Sequence, residues 1–192
     1  GNILFPLGAM CKESVRSKAF ELELPAHRSR ESQDICFIPD RDSRTFLMER
    51  LNCTPGEIVD IEGKVLGSHK GLPLYTIGQR QGLGISSNEP LYVVSIDADN
   101  NRLIVGLEPD LYRKRLLAEK VNWISGDVPH SPCRVTVKIR YGSSEIPAVV
   151  DITDNTAEVI FDEPQKAVAP GQSVVFYNGE EVLGGGVIVR AY

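Results

Sequence analysis

The chain has 192 residues, 42% of them hydrophobic and 24% charged, enough apolar content for one large domain or two small ones. No run approaches the roughly 20 apolar residues of a membrane span, and the opening Gly1-Asn2-Ile3-Leu4-Phe5-Pro6 has neither the charged start nor the cleavage site of a secretory signal. The net charge of -5 argues against a nucleic-acid binder on total charge, which leaves the local distribution to decide. Four scattered cysteines (Cys11, Cys36, Cys53, Cys133) never form a CxxC pair. They support neither a zinc site nor a disulfide framework, and they fit a reducing, cytosolic setting.

In chain order, Ile3-Leu4-Phe5 reads as a short strand closed by Pro6 and Gly8. Residues 11–24 follow as a helix, with Val15, Ala19 and Leu22 at helical spacing and Pro25 as the stop. One strand and one helix cannot bury their own apolar faces, so residues 1–39 are expected to be the tail of a larger domain. A second helix is expected over residues 43–51. After Pro55-Gly56 the pattern changes to short alternating strands. Residues 57–61 and 64–66 flank a Glu62-Gly63 turn, and 91–96 and 102–106 flank a loop over 97–101. Arg113-Lys114-Arg115 marks a junction. Strands are expected over 121–124, 133–141, 146–152, 157–161, 173–177 and 182–189, with Asn178-Gly179 as a two-residue hairpin signal. This second half reads as a β-barrel or sandwich.

Cys36 sits between apolar residues in QDICFI, directly after the polar run His27-Arg28-Ser29-Arg30-Glu31-Ser32. Only a thiolate is nucleophilic, and Arg28 or Arg30 near the thiol would raise the ionised fraction. An inert, packed cysteine is the competing reading. Residues 67–85 hold five glycines around a Tyr-Thr pair, suited either to tight turns or to close approach of a phosphate or ribose. Their spacing matches neither a Walker loop nor a dinucleotide fingerprint. His69 has no second ligand at metal spacing and is read as structural.

In CRVTVKIRY, residues 133–141, Val135, Val137, Ile139 and Tyr141 share one face, and Arg134, Thr136, Lys138 and Arg140 form a basic stripe on the other. The stripe suits a polyanion or a solvated barrel wall. Tyr141 joins the apolar set unless Gly142 ends the strand early, in which case its ring can stack on a base. Residues 151–163 carry five acidic side chains and no basic one, and are expected to face away from any nucleic acid. Gln172 follows a Pro170-Gly171 entry to a strand, and Gly184-Gly185-Gly186 predicts a bulge or a close backbone crossing.

The segments SQDICFI, PGEIVDIEGKVLGSHKGLPLYTIGQRQGLGI, VKIRY and FDEPQKAVAPGQSVVFYNGEEVLGGGVI, in this order over essentially the whole chain, resemble the tRNA-specific 2-thiouridylases (the MnmA family). The resemblance implies a mainly β chain with some α. A short α/β remnant of a PP-loop catalytic domain would span 1–39, a small central β-rich domain 40–115, and a C-terminal β-barrel 116–192. It implies a cytoplasmic, ATP-dependent sulfurtransferase acting on the wobble uridine of tRNA, with a sulfur-donor protein as second partner. Cys36 matches the cysteine that holds the transferable sulfur as a persulfide and ends in a disulfide with a second cysteine of the catalytic domain. Arg140, Tyr141 and Gln172 match tRNA-contacting residues. No SGGxDS pyrophosphate loop occurs in the chain, and Cys11, Cys53 and Cys133 match no family position. The ATP site is therefore expected outside this chain, which by itself should not adenylate uridine and contains no expected metal site. A non-catalytic RNA-binding module, or a docking module for a sulfur relay, is the alternative reading of the same residues.

Overall fold

The computed structural model describes residues 4–28, 38 and 43–192. The chain divides into two units, Gly1–Phe46 and Leu47–Tyr192. In the first, helix α1 spans Lys12–Glu21 and a 3-10 turn spans Pro25–Arg28. Helix α1 buries no residue, and Phe20 and Leu22 stay exposed. Leu4 and Phe5 are exposed and form no strand, a correction to the sequence expectation. A strand needs a partner strand for its backbone groups, whereas the Phe5 carbonyl is taken up in a turn, accepting from the Gly8 N–H at 2.9 Å. Helix α2 spans Ser43–Arg50.

The second unit holds two β-structures. The first is a four-stranded sheet built from β1 (Gly56–Asp60), β2 (Val65–His69), β3 (Tyr92–Asp97) and β4 (Arg102–Gly106), ordered β2-β1-β4-β3. The β1–β4 pair is parallel and the other two pairs are antiparallel. Ile58, Val93, Leu103 and Val105 form its core with Tyr75 and Leu83 from the connecting loop. The glycines of residues 67–85 mostly serve that loop. A Cβ on Gly71 would stand 2.7 Å from the Cys53 Cβ, and Gly71 also has φ +133°. His69 is buried: Gly71 N–H donates to its Nδ1 at 3.1 Å, so Nε2 carries the proton and donates to the Asn101 carbonyl at 3.1 Å. Both ring nitrogens are satisfied within the fold.

The second structure is a closed barrel, ordered β10-β5-β8-β7-β6-β9. Its strands are β5 (Tyr112–Trp123), β6 (Cys133–Lys138), β7 (Ile146–Thr153), β8 (Thr156–Lys166), β9 (Ser173–Asn178) and β10 (Glu181–Ala191). Inward residues recur at every second position, as in Val135/Val137, Ala148/Val150 and Ala157/Val159/Phe161. Trp123 stacks on Phe176 at 5.3 Å in the core. Closure leaves no free sheet edge.

Three local details differ from the alternation pattern. Strand β5 starts at Tyr112, so Arg113-Lys114-Arg115 lies inside a barrel strand. Its inward set shifts from Leu116/Ala118 to Trp123 because Lys120, at φ +53°, sits in a bulge opposite β10, and that phase change hides the strand from a period-two reading. The β9–β10 hairpin turns on Gly179-Glu180, one residue later than the sequence signal, with Gly179 at φ +59°. Only the first turn residue needs a positive φ, which glycine supplies. At the triple glycine β10 is bulged as expected: a Cβ on Gly184 would meet the Asn122 carbonyl oxygen at 2.3 Å, and one on Gly185 the Val174 oxygen at 2.6 Å.

Candidate nucleic-acid interface

The end of β6 and the connection from β8 to β9 build one rim of the barrel. Strand β6 stops at Lys138, yet Ile139 is still buried. The chain then bends away, with Gly142 at φ +76°, and Tyr141 is fully exposed. The ring therefore leaves the apolar face to which strict alternation assigned it. An exposed aromatic at a bend offers a stacking platform for a base.

The basic stripe is largely neutralised. Arg134 is ion-paired with Asp162, and Lys138 lies 3.5 Å from Glu145 and 5.1 Å from the centre of the Tyr177 ring. Strand β8 lies between β5 and β7, so its outward acids Glu158 and Asp162 reach Arg115 and Arg134. Arg140 is different. Its Nη2 donates to the carbonyls of Lys166 (3.1 Å) and Ala167, and among the described residues no carboxylate lies within ion-pair reach of it. The positive charge at the rim is thus held in place without being cancelled.

The carbonyls that Arg140 holds begin a strap, residues 166–172, that ends at Gln172. Ala167 adopts φ +53° and is buried with Val94 and Leu111 of the sheet side, and its N–H donates to the Leu111 carbonyl at 2.9 Å. Gly78 packs so closely that a Cβ there would stand 2.9 Å from the Ala167 Cβ. Further along, the Gly171 N–H donates to the Ile188 carbonyl and the Ile188 N–H to the Gln172 carbonyl, both at 2.8 Å. The backbone of Gln172 is thereby fixed while its side chain is exposed.

The structure joins Arg140 to the strap that carries Gln172. Sequence reading missed this link, since residues 140 and 167 are far apart in the chain and the only local hint was the Pro170-Gly171 turn. Cys36 and Arg30 lie outside the described residues. Arg28 is exposed, and its Nε donates to His27 Nε2 at 3.2 Å. Among the described residues no group of three or more His, Cys, Asp or Glu is arranged to hold a metal, and no helix is long and apolar enough to cross a membrane.

Cys11, Cys53 and Cys133 are free thiols. The Ser14 hydroxyl, 3.0 Å from the Cys11 sulfur, and then the Ser14 backbone N–H, hold the Cys11 thiol below its ordinary range. Burial pushes the Cys133 thiol up. At neutral pH the thiolate fraction is therefore larger at Cys11, and iodoacetamide is expected to modify Cys11 well before Cys133. Peptide mapping over a time course checks the order, and equal rates would contradict it.

Three family models match the chain in succession: the tRNA methyl transferase HUP domain over residues 1–40, the tRNA methyl transferase PRC-barrel domain over 44–107, and the aminomethyltransferase beta-barrel domain over 113–188. Among similar proteins, the tRNA-specific 2-thiouridylase MnmA of Halothermothrix orenii is 49% identical over 97% of this chain and 53% of its own length. The proteins of the same name from Acetivibrio thermocellus and Heliobacterium modesticaldum are 48% and 46% identical, each over 97% of this chain, covering 53% and 50% of those proteins. The chain spans about half the length of the curated relatives it matches.

Proposed function

Because the chain belongs to the family of tRNA-specific 2-thiouridylases, we propose that it forms the sulfur-carrying and tRNA-docking part of such an enzyme. In this reading Cys36 accepts a sulfane sulfur from a donor protein in the cytoplasm and holds it as a persulfide. ATP, bound by residues outside this chain, activates the C2 oxygen of the wobble uridine. The terminal persulfide sulfur then adds to C2, the activated oxygen departs, and a second cysteine outside this chain completes release by forming a disulfide with Cys36. Arg28 or Arg30 favours the ionised form of Cys36. Residues 1–39, 40–115 and 116–192 act as catalytic remnant, central domain and tRNA-docking barrel.

The observation that supports this reading best is the rim itself. It joins an arginine whose charge no described carboxylate balances to a fully exposed tyrosine. Phosphates pair with the one and bases stack on the other. Tyr141→Ala is expected to weaken tRNA binding by about 1–3 kcal/mol. Arg140→Ala is expected to reduce the salt slope of binding by about one counterion. Anisotropy titrations with a tRNA transcript at several salt concentrations check both, and an unchanged affinity and slope would overturn the reading.

A further inference from the structure

Between β2 and β3 the chain makes a loop, residues 70–91, whose second half surrounds a polar cavity of about 230 Å³. The loop is held in place before the cavity begins. The Gly78 N–H donates to the Val93 carbonyl at 2.8 Å, and the Val93 N–H to the Gln79 carbonyl at 2.9 Å. The Gln79 side chain accepts from the Thr76 N–H at 3.1 Å and donates to the Gln81 carbonyl at 2.8 Å. Leu83 is buried in the sheet core, and Ile85 packs against the same core. Two opposite charges line the cavity, Arg80 and Glu89, yet they are not ion-paired. Among the described residues neither side chain has a hydrogen-bond or ion-pair partner. The Ser87 hydroxyl oxygen accepts the Glu89 N–H at 3.3 Å and keeps its own proton as a donor.

The backbone adds further donors. None of the N–H groups of residues 84–88 donates to an acceptor among the described residues. Gly84 adopts φ +70°, and a Cβ there would meet nothing within 4 Å, so its backbone lies bare at the cavity wall. A guanidinium, a hydroxyl and unclaimed N–H groups together suit an oxyanion. The Glu89 carboxylate in the same wall would repel an isolated phosphate. It suits a ligand that carries a hydroxyl donor beside its anion, and in RNA the 2′-hydroxyl stands next to the backbone phosphate. The volume lies below the roughly 300–1,000 Å³ of clefts that enclose drug-sized ligands, which matches one backbone unit without its base. We propose that this cavity binds one ribose-phosphate unit of an RNA backbone. Arg80, Ser87 and the free N–H groups take the phosphate, and Glu89 accepts a hydrogen bond from the 2′-hydroxyl. The proposal rests on the reading that the chain docks tRNA, and adds a backbone contact on the sheet, apart from the barrel rim.

The test titrates the full chain with unmodified tRNA and with synthetic tRNAs that carry single methylphosphonate linkages or single 2′-deoxyriboses. Arg80 and Glu89 are exposed, so variants at both positions should fold. Arg80→Ala is expected to weaken binding of unmodified tRNA about tenfold and to lower the salt slope by about one counterion. With one particular methylphosphonate tRNA that loss should vanish, because the linkage has no charge left to pair. At the adjoining position the unaltered chain should prefer ribose to deoxyribose about threefold. Glu89→Ala should erase the preference, whatever loss of its charge does to overall affinity. Inorganic phosphate should displace no more tRNA than sodium chloride of equal ionic strength, and displacement beyond that would make the cavity a free-phosphate site and overturn the assignment. If Arg80→Ala weakens every tRNA of the set equally, it acts through the general field and the subsite is refuted. A ribose preference that survives in Glu89→Ala would refute the role of the carboxylate. If Arg80→Ala binds like the unaltered chain while Tyr141→Ala is weakened, the cavity is not an RNA site, though docking at the rim stands. Loss of affinity in neither variant would remove the docking reading itself.

Discussion

Replacing Cys36 with serine in the protein that carries both this chain and an ATP-binding domain is expected to abolish 2-thiouridine formation while tRNA affinity is unchanged. A serine oxygen cannot store sulfane sulfur, so the loss is complete and not partial. The substitution exchanges one atom and adds no charge, so the rim at Arg140 and Tyr141 is untouched. Nucleoside mass spectrometry of the reacted tRNA reads the first outcome, and an anisotropy titration the second. Thiolation that survives the substitution would assign sulfur transfer to another residue. Cys11 is the one described thiol that would then draw attention, because Ser14 favours its ionised form.

The largest stability effect is expected at Phe161, which is 1% exposed at the centre of the barrel core. Truncation to alanine removes an aromatic ring where the surrounding strands are held by a closed ladder and relax little. A cost of about 3–5 kcal/mol follows, a large part of the roughly 5–15 kcal/mol by which a domain is stable. Denaturant midpoints measure it. Tyr141→Ala serves as the opposite case. Its side chain is fully exposed, so stability should shift by less than about 0.5 kcal/mol. Loss of stability without loss of tRNA binding at Phe161, and the reverse at Tyr141, would separate scaffold from site. A Phe161→Ala barrel with an unchanged midpoint would mean that the ring is not packed as described.

Much of the barrel was legible because its strands alternate cleanly and one face is buried. Val135, Val137 and Ile139 announce β6, and the polar and basic positions between them, Thr136 and Lys138, announce its outer face. The first half of β5 was not legible. Its bulge at Lys120 breaks the period, and bulges are set by partner strands that a local pattern does not contain. The short strand expected at Ile3-Leu4-Phe5 failed for a related reason, since pairing is a property of two segments. At the rim, Tyr141 could be placed on either face until the strand end at Lys138 was known. The ion pairs of Arg134 and Lys138 are tertiary too, and they leave Arg140 as the member of the stripe without a carboxylate partner among the described residues. Gln172 was singled out by resemblance, whereas its attachment to Arg140 through the strap came from the fold alone.

The central claim is that tRNA docks on this rim, and cross-linking locates the contact most directly. A tRNA transcript carrying photoreactive uridines in the anticodon loop would be irradiated with the protein and the linked peptides identified by mass spectrometry. The account predicts attachment within residues 139–143 and 167–172. Cross-links confined to the acidic hairpin at residues 151–158, or found only outside the barrel, would contradict it.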